Sequence, residues 1–227
     1  MTWLAELTAL IAPPACAACR APLARAGAGV CSGCLRELPW LVSSGCRRCG
    51  LPHHGGRACP GWDAGFDSAW APLAYDGPAR ALVHALKFRG ALPLAALMAA
   101  QVAANAPPWA TEGCVAVVAV PPARARRRTR GFDPAALLAD GVAARLGLPV
   151  ARCLRRTGAA PHQLGAGREA RRAAGRIAVR VTAPPPAAVL LVDDVHTTGA
   201  TLAACAGALR AGGAATIRAL AYARTLG

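Results

Sequence analysis

The stretch VLLVDDVHTTGAT, Val189 to Thr201, sets four apolar side chains against two adjacent acids and then a threonine-rich turn. The apolar run reads as a strand buried on both faces, as in a parallel sheet, and the turn as the opening of a helix. Ligands of open α/β sheets bind beyond such strand ends. The backbone N–H groups of the turn, Ala200 included, and the hydroxyls of Thr197, Thr198 and Thr201 can ring a phosphate at the positive end of the following helix. Gly199 lets the backbone approach closely. Carboxylates repel phosphate but accept hydrogen bonds from sugar hydroxyls. Asp193 and Asp194 beside a phosphate turn therefore point to a ribose 5-phosphate.

Working outward, the alternation of strands and helices predicts a doubly wound α/β fold with a parallel-dominated sheet and helices on both faces. Residues 67–77 read as a strand leading to a turn. Pro78 opens a helix through about Lys87, with Gly90 as its stop, and an alanine-rich helix fills about 92–105. The run 114–120 is continuously apolar. Asp133 and Pro134 are an N-cap and a first helical residue for a helix running to Gly147. Further strands are expected at about 149–154, 177–181, 188–193 and 214–223, with helices at about 168–173 and 201–211. The core of this domain, residues 63–227, is preceded by a small cysteine-rich segment, residues 1–62.

Seven of the ten cysteines fall in that segment: Cys16, Cys19, Cys31, Cys34, Cys46, Cys49 and Cys59. Three C-x-x-C pairs recur at equal gaps, and each pair can clamp a tetrahedral ion from a tight turn. Zinc is preferred to disulfides, which a cytoplasm keeps reduced, and to a redox pair, which would cap a helix in a βαβ unit. Cys16, Cys19, Cys31 and Cys34 complete one site. Cys46, Cys49 and Cys59 leave a second one ligand short. His53 or His54 can supply it; otherwise the histidines sit in a solvated loop and the second site is degenerate. A four-thiolate site has no open position, so the metal's expected task is structural.

The chain carries 26 Lys+Arg against 11 Asp+Glu, with Lys87 its sole lysine. Such a surface attracts polyanions without reading their sequence, unless it is simply solvated. The first fourteen residues lack a basic leader and read as a short docking helix, and the uncharged stretch 91–111 is broken by Gln101, Asn105 and Pro107-Pro108. No membrane span and a cytoplasmic location are expected. Cys114, Cys153 and Cys205 stand singly among apolar residues as core, and Tyr75 and Phe88 are expected there too.

The 189–201 stretch resembles the phosphoribosyl diphosphate (PRPP) motif of type I phosphoribosyltransferases. Together with the C-x-x-C pairs, "ALKFRG", "RGFDPAALLA" and "HQLG", in this order, it resembles the ComF/GntX family along nearly the whole chain. The resemblance implies a zinc-binding segment on a phosphoribosyltransferase fold, PRPP bound with magnesium, and a role in competence and the uptake or use of external DNA. It places Asp193 and Asp194 on the ribose and residues 197–201 on its 5-phosphate. By fold analogy, the loop carrying Arg124, Arg128 and Arg130 faces the pyrophosphate, with Lys87 as a second cation near the substrate mouth. This chain departs from the family at Asp133-Pro134, where Asn-Gln is usual, and at Ala173-Ala174, where an asparagine is. No acceptor-selecting constellation is visible. A single-stranded-DNA-binding factor with PRPP as a regulatory or vestigial input, and an adaptor for competence or DNA-processing proteins, remain alternatives to an enzyme. Gln163 is a candidate for a mobile lid.

Overall fold

A computed structural model describes residues 14–23, 29–41, 45–56, 58–123, 129–157 and 177–226. The expected helix at 168–173, Gln163 and, but for Pro14, the docking helix expected in the first fourteen residues lie outside them.

The apolar runs form one parallel sheet. Its strands are β1 (Ser68–Trp70), β2 (Leu73–Ala74), β3 (Ala116–Ala119), β6 (Ala188–His196) and β7 (Thr216–Arg224), and its order is β1-β7-β6-β3. β2 continues along β7 beyond β1, and Val150 adds a parallel bridge to Val117. The strand expected at 149–154 is thus one bridge, after which β4 (Leu154–Arg156) pairs antiparallel with β5 (Val179–Val181) in a separate ribbon.

Side chains of a strand alternate between faces, and both faces here are covered. Leu190, Val192, Leu220 and Tyr222 lie in one core with α2 (Gly77–Arg89), α3 (Leu94–Asn105) and α5 (Pro134–Leu146). Val189, Leu191, Ile217 and Ala219 lie in a second core with α6 (Ala200–Ala211). Local chemistry sets the ends of α5: the Asp133 carboxylate accepts from the N–H groups of Ala135 and Ala136, and Gly147 takes the left-handed conformation that stops the helix. Beyond β1 and β2 the chain also forms a short α4 (Pro108–Thr111).

β6 runs three residues past the expected end. Its neighbour β7 stays apolar through Ala223, and the ladder continues through Asp193↔Ala221, Val195↔Ala223 and His196↔Arg224. The two acids therefore lie inside the strand and not after it.

The cysteine-rich segment docks on the sheet's open edge. The N–H of Leu41 donates to the Pro72 carbonyl, that of Ala74 to Pro39, and that of Ala69 to Arg47. Pairing hides an edge that would otherwise template association. Cys34, on the short α1 (Ser32–Arg36), belongs with Cys16, Val30 and Leu38 to the same core as α2 and α3. Two of its hairpins are built alike. The Cys16 N–H donates to Ala21 and its carbonyl accepts from Arg20; Cys46 does the same with Leu51 and Gly50. The closing residue is left-handed in both, Gly50 at φ 74° and Arg20 at φ 69°. An arginine there costs about 1 kcal/mol that glycine avoids. Arg20→Gly is expected to raise the melting temperature by roughly 2 °C, since 1 kcal/mol shifts a chain of this size by roughly 2–4 °C and glycine's extra unfolded freedom offsets part of the gain. Scanning calorimetry decides it.

Candidate functional site

β3 and β6 are parallel neighbours, so their carboxyl ends open on the same rim. At that rim Lys87 of α2 meets Asp194, Nζ to Oδ1, at 2.7 Å. The Asp193 Oδ1 accepts the Asp194 N–H at 2.8 Å. Asp193 keeps some surface, but protein crowds its carboxyl. Burial first, and then the Asp194 charge, push its pKa well above the ordinary carboxylate value, against the opposing pull of the Asp194 N–H and Lys87; Asp133 adds repulsion. Strand alternation sends the two acids apart. Asp194 reaches α2, whereas Asp193 lies close enough to Cys205 of α6 to add to the burial that pushes this thiol up to about 12.

A stability prediction follows from the sign of that shift. A carboxyl that holds its proton more tightly when folded favours folding below its unfolded value, 3.8, and loses that contribution as pH rises through the folded one. Asp193→Asn keeps the acceptor oxygen and removes the ionisation. Without ligand, the variant should match wild type near pH 4 and exceed it increasingly towards pH 8, as urea denaturation at several pH values would show.

The turn follows directly. Thr197 and Thr198 are exposed, the Thr198 hydroxyl accepts the Ala200 N–H at 3.4 Å, and Gly199 stands left-handed at φ 80° before α6, with Thr201 in its first turn. A Cβ on Gly199 would approach the His196 Nε2 to 2.8 Å. His196 is buried beneath the turn, edge-on to Phe66; burial, then the Arg224 charge, lower its pKa to about 3 and hold it neutral. Arg224, 3% exposed, donates to the carbonyls of His196, Thr197 and Cys49. Neither His196 nor Arg224 carried a sequence signal.

Lys87 and the acids are thus brought together, and the turn adjoins them. Arg130 joins through Phe88, its guanidinium 4.6 Å from the ring centroid. Phe88 is 62% exposed and is not core, because it falls off the buried face formed by Ala79, Leu82, Val83 and Leu86. Tyr75 packs half-buried against the core, and Cys114, Cys153 and Cys205 are buried as expected. Arg124 and Arg128 lie outside the described residues. Beside the rim, a cleft of about 600 Å³ runs from Pro121 and Pro122 past Asp133 to Arg152, Arg155 and Arg156. Arg152 is paired with Asp140.

The cysteines gather into two tetrads: Cys16, Cys19, Cys31 and Cys34, and Cys46, Cys49, His54 and Cys59. In each, the ligand atoms lie within 4.8 Å of one another. Sulfurs bound to zinc at about 2.3 Å in a tetrahedron stand about 3.8 Å apart. Cys19–Cys31 and Cys46–Cys59 are each 3.7 Å apart, sulfur to sulfur. His54 fills the missing place, its Nε2 3.2 Å from the Cys49 sulfur, while His53 stays exposed. The solvated-loop reading does not hold for His54. Burial pushes the Cys49 thiol up to about 12, with its neighbouring thiols adding to it, and a divalent cation is the partner that relieves such crowding. Both donor sets fit structural zinc.

Residues 7–61 match the double zinc ribbon domain family. The chain is 34% identical to the DNA utilization protein YhgH of Salmonella typhimurium over 232 aligned residues, covering 96% of this chain and all of the relative. It is 30% identical to the protein of that name from Escherichia coli O157:H7, over 227 residues and the same shares. Among the described residues, no helix is long and apolar enough to cross a membrane.

Proposed function

We propose, on the premise that this chain belongs to the family of the DNA utilization protein YhgH, that it binds PRPP at the β3–β6 rim and serves the uptake or utilisation of external DNA. One juxtaposition carries the PRPP reading. Asp193 and Asp194, the latter paired with Lys87, stand beside a left-handed glycine turn that opens a twelve-residue helix.

In this reading residues 197–201 take the 5-phosphate, and the carboxyl groups of the two acids take the ribose hydroxyls. Lys87 holds Asp194 in place through Oδ1. Arg130 and the cleft arginines Arg155 and Arg156 receive the diphosphate through their planar forks. Among the described residues no carboxylate cluster has metal-holding geometry, so magnesium would arrive on the diphosphate oxygens. Zinc would hold the two tetrads and leave the rim to the α/β core. Transfer to an acceptor would break the bond from ribose C1 to the diphosphate, with the arginines stabilising the departing charge.

Calorimetry with PRPP and magnesium tests the reading: saturable binding, one per chain, displaced by ribose 5-phosphate, is expected. Heats no larger than dilution, from fully zinc-loaded protein, would sink it. Pyrophosphate release with candidate acceptors then separates an enzyme from a PRPP-responsive binding protein.

A second reading draws on exposed aromatics that carry arginines. Trp62 is 69% exposed with Arg48 4.6 Å from its ring, and Phe88 has Arg130. Aromatic faces beside cations suit the stacking and phosphate contacts of single-stranded DNA. Affinity for an oligonucleotide that falls linearly in log–log form with salt supports it.

A further inference from the structure

The turn assigned to the phosphate does not rest on the sheet alone. On its underside, Arg224 is the last residue of β7 and is 3% exposed. Its Nε donates to the Cys49 carbonyl at 3.1 Å, and its Nη1 to the His196 carbonyl at 2.9 Å and to the Thr197 carbonyl. One side chain thus ties the second cysteine hairpin to the first residues of the turn. Among the described residues no carboxylate pairs with it. Burying a cation is costly unless its donors are satisfied, and here the carbonyls of Cys49, His196 and Thr197 take that task.

The surroundings agree. A cavity of about 180 Å³ lies between the hairpin and the turn, lined by Cys49, Gly61, Phe66, His196, Gly199 and Arg224 among others. The turn and the second hairpin therefore meet across a gap that Arg224 bridges. The first tetrad lies elsewhere: its Cys16 and Cys34 pack in the core with α2 and α3, and Arg89 of α2 donates to the Ala17 carbonyl.

We infer that Arg224 is a positioning residue through which the metal-loaded Cys46/Cys49/His54/Cys59 tetrad holds the 197–201 turn in its phosphate-binding form, so that metal at this tetrad and PRPP at the rim strengthen each other's binding. The inference rests on the PRPP reading above and adds to it a direction of control. A filled tetrad fixes the Cys49 carbonyl; Arg224 then fixes the carbonyls of His196 and Thr197. An emptied tetrad leaves the guanidinium one carbonyl anchor short.

Thermodynamic reciprocity supplies a test that a merely structural role would not move. In the full-length protein loaded with cobalt or zinc, the metal affinity of each tetrad is measured against a chromogenic chelator, with and without saturating PRPP and magnesium. Wild type is expected to hold the second tetrad's metal about tenfold more tightly with PRPP, a typical coupling, and the first tetrad's metal unchanged. Arg224→Gln should keep both metals, bind PRPP about tenfold more weakly, and lose the PRPP effect on metal retention. Arg224→Lys, which keeps charge and donors, should recover part of it. Cys59→Ser, read by calorimetry as a second measurement, should weaken PRPP by a similar factor. If PRPP binds metal-loaded wild type yet leaves the second tetrad's metal affinity unaltered, the coupling is refuted while the PRPP site stands. If metal-loaded wild type binds no PRPP, both fall.

Discussion

Exchanging Asp193 and Asp194 together for asparagine should lower PRPP affinity by roughly 100-fold or more while the zinc content stays at the wild-type level. Each acid is assigned a sugar hydroxyl, and a hydrogen bond contributes about 1.5–3 kcal/mol when its partner is charged and about 0.5–1.5 kcal/mol when it is neutral. Asparagine preserves shape and an acceptor oxygen, so the loss reports charge and not collapse. The Asp194 half should dominate. Its carboxylate is paired with Lys87 at 2.7 Å, whereas burial and the Asp194 charge favour the protonated form of Asp193. Removing Asp194 also strands the lysine, whose freed ammonium then faces the rim. Calorimetry on the two single variants and the double variant measures this, with zinc counted by atomic emission. Undiminished affinity in the double variant would remove the acids from the sugar.

The second large effect concerns the first tetrad. Cys34→Ser should release one metal of two and lower the melting temperature of the whole chain by more than about 10 °C. Structural zinc contributes about 10–16 kcal/mol in isolated finger peptides, and a chain of this size shifts by roughly 2–4 °C per kcal/mol. The reason the damage should spread is that Cys34 and Cys16 share a core with Leu82, Leu86 and Met98. Loss of the tetrad exposes one face of α2, and with it the helix that presents Lys87. Calorimetry combined with hydrogen exchange over 77–105 tests this. A main transition left in place, with only the cysteine-rich segment deprotected, would show two independent units.

Much of this architecture was legible because punctuation residues do their work locally. Asp133, Pro134 and Gly147 bracket α5 in the sequence as they do in space, and the run 114–120 could hardly be anything but a covered strand. What escaped notice depends on partners far away in the chain. β6 outlasts its apolar pattern because β7 lies alongside it, a pairing no local pattern announces. Arg224 is buried because three carbonyls from two distant segments converge on it. His54 was one of two equivalent candidates, and only the fold of its hairpin chooses between them. Phe88 is different: its exposure was readable, since helical spacing from Leu82 and Leu86 already turns residue 88 outward.

The sequence's sole lysine sits at the rim, its ammonium clasped by Asp194 and its side chain 19% accessible. Acylating reagents that attack primary amines thereby find one internal target in the entire polypeptide, and it lies where the sugar is expected. The extent of modification at that position, read by mass spectrometry, becomes a footprint of occupancy that needs no label and no engineered handle.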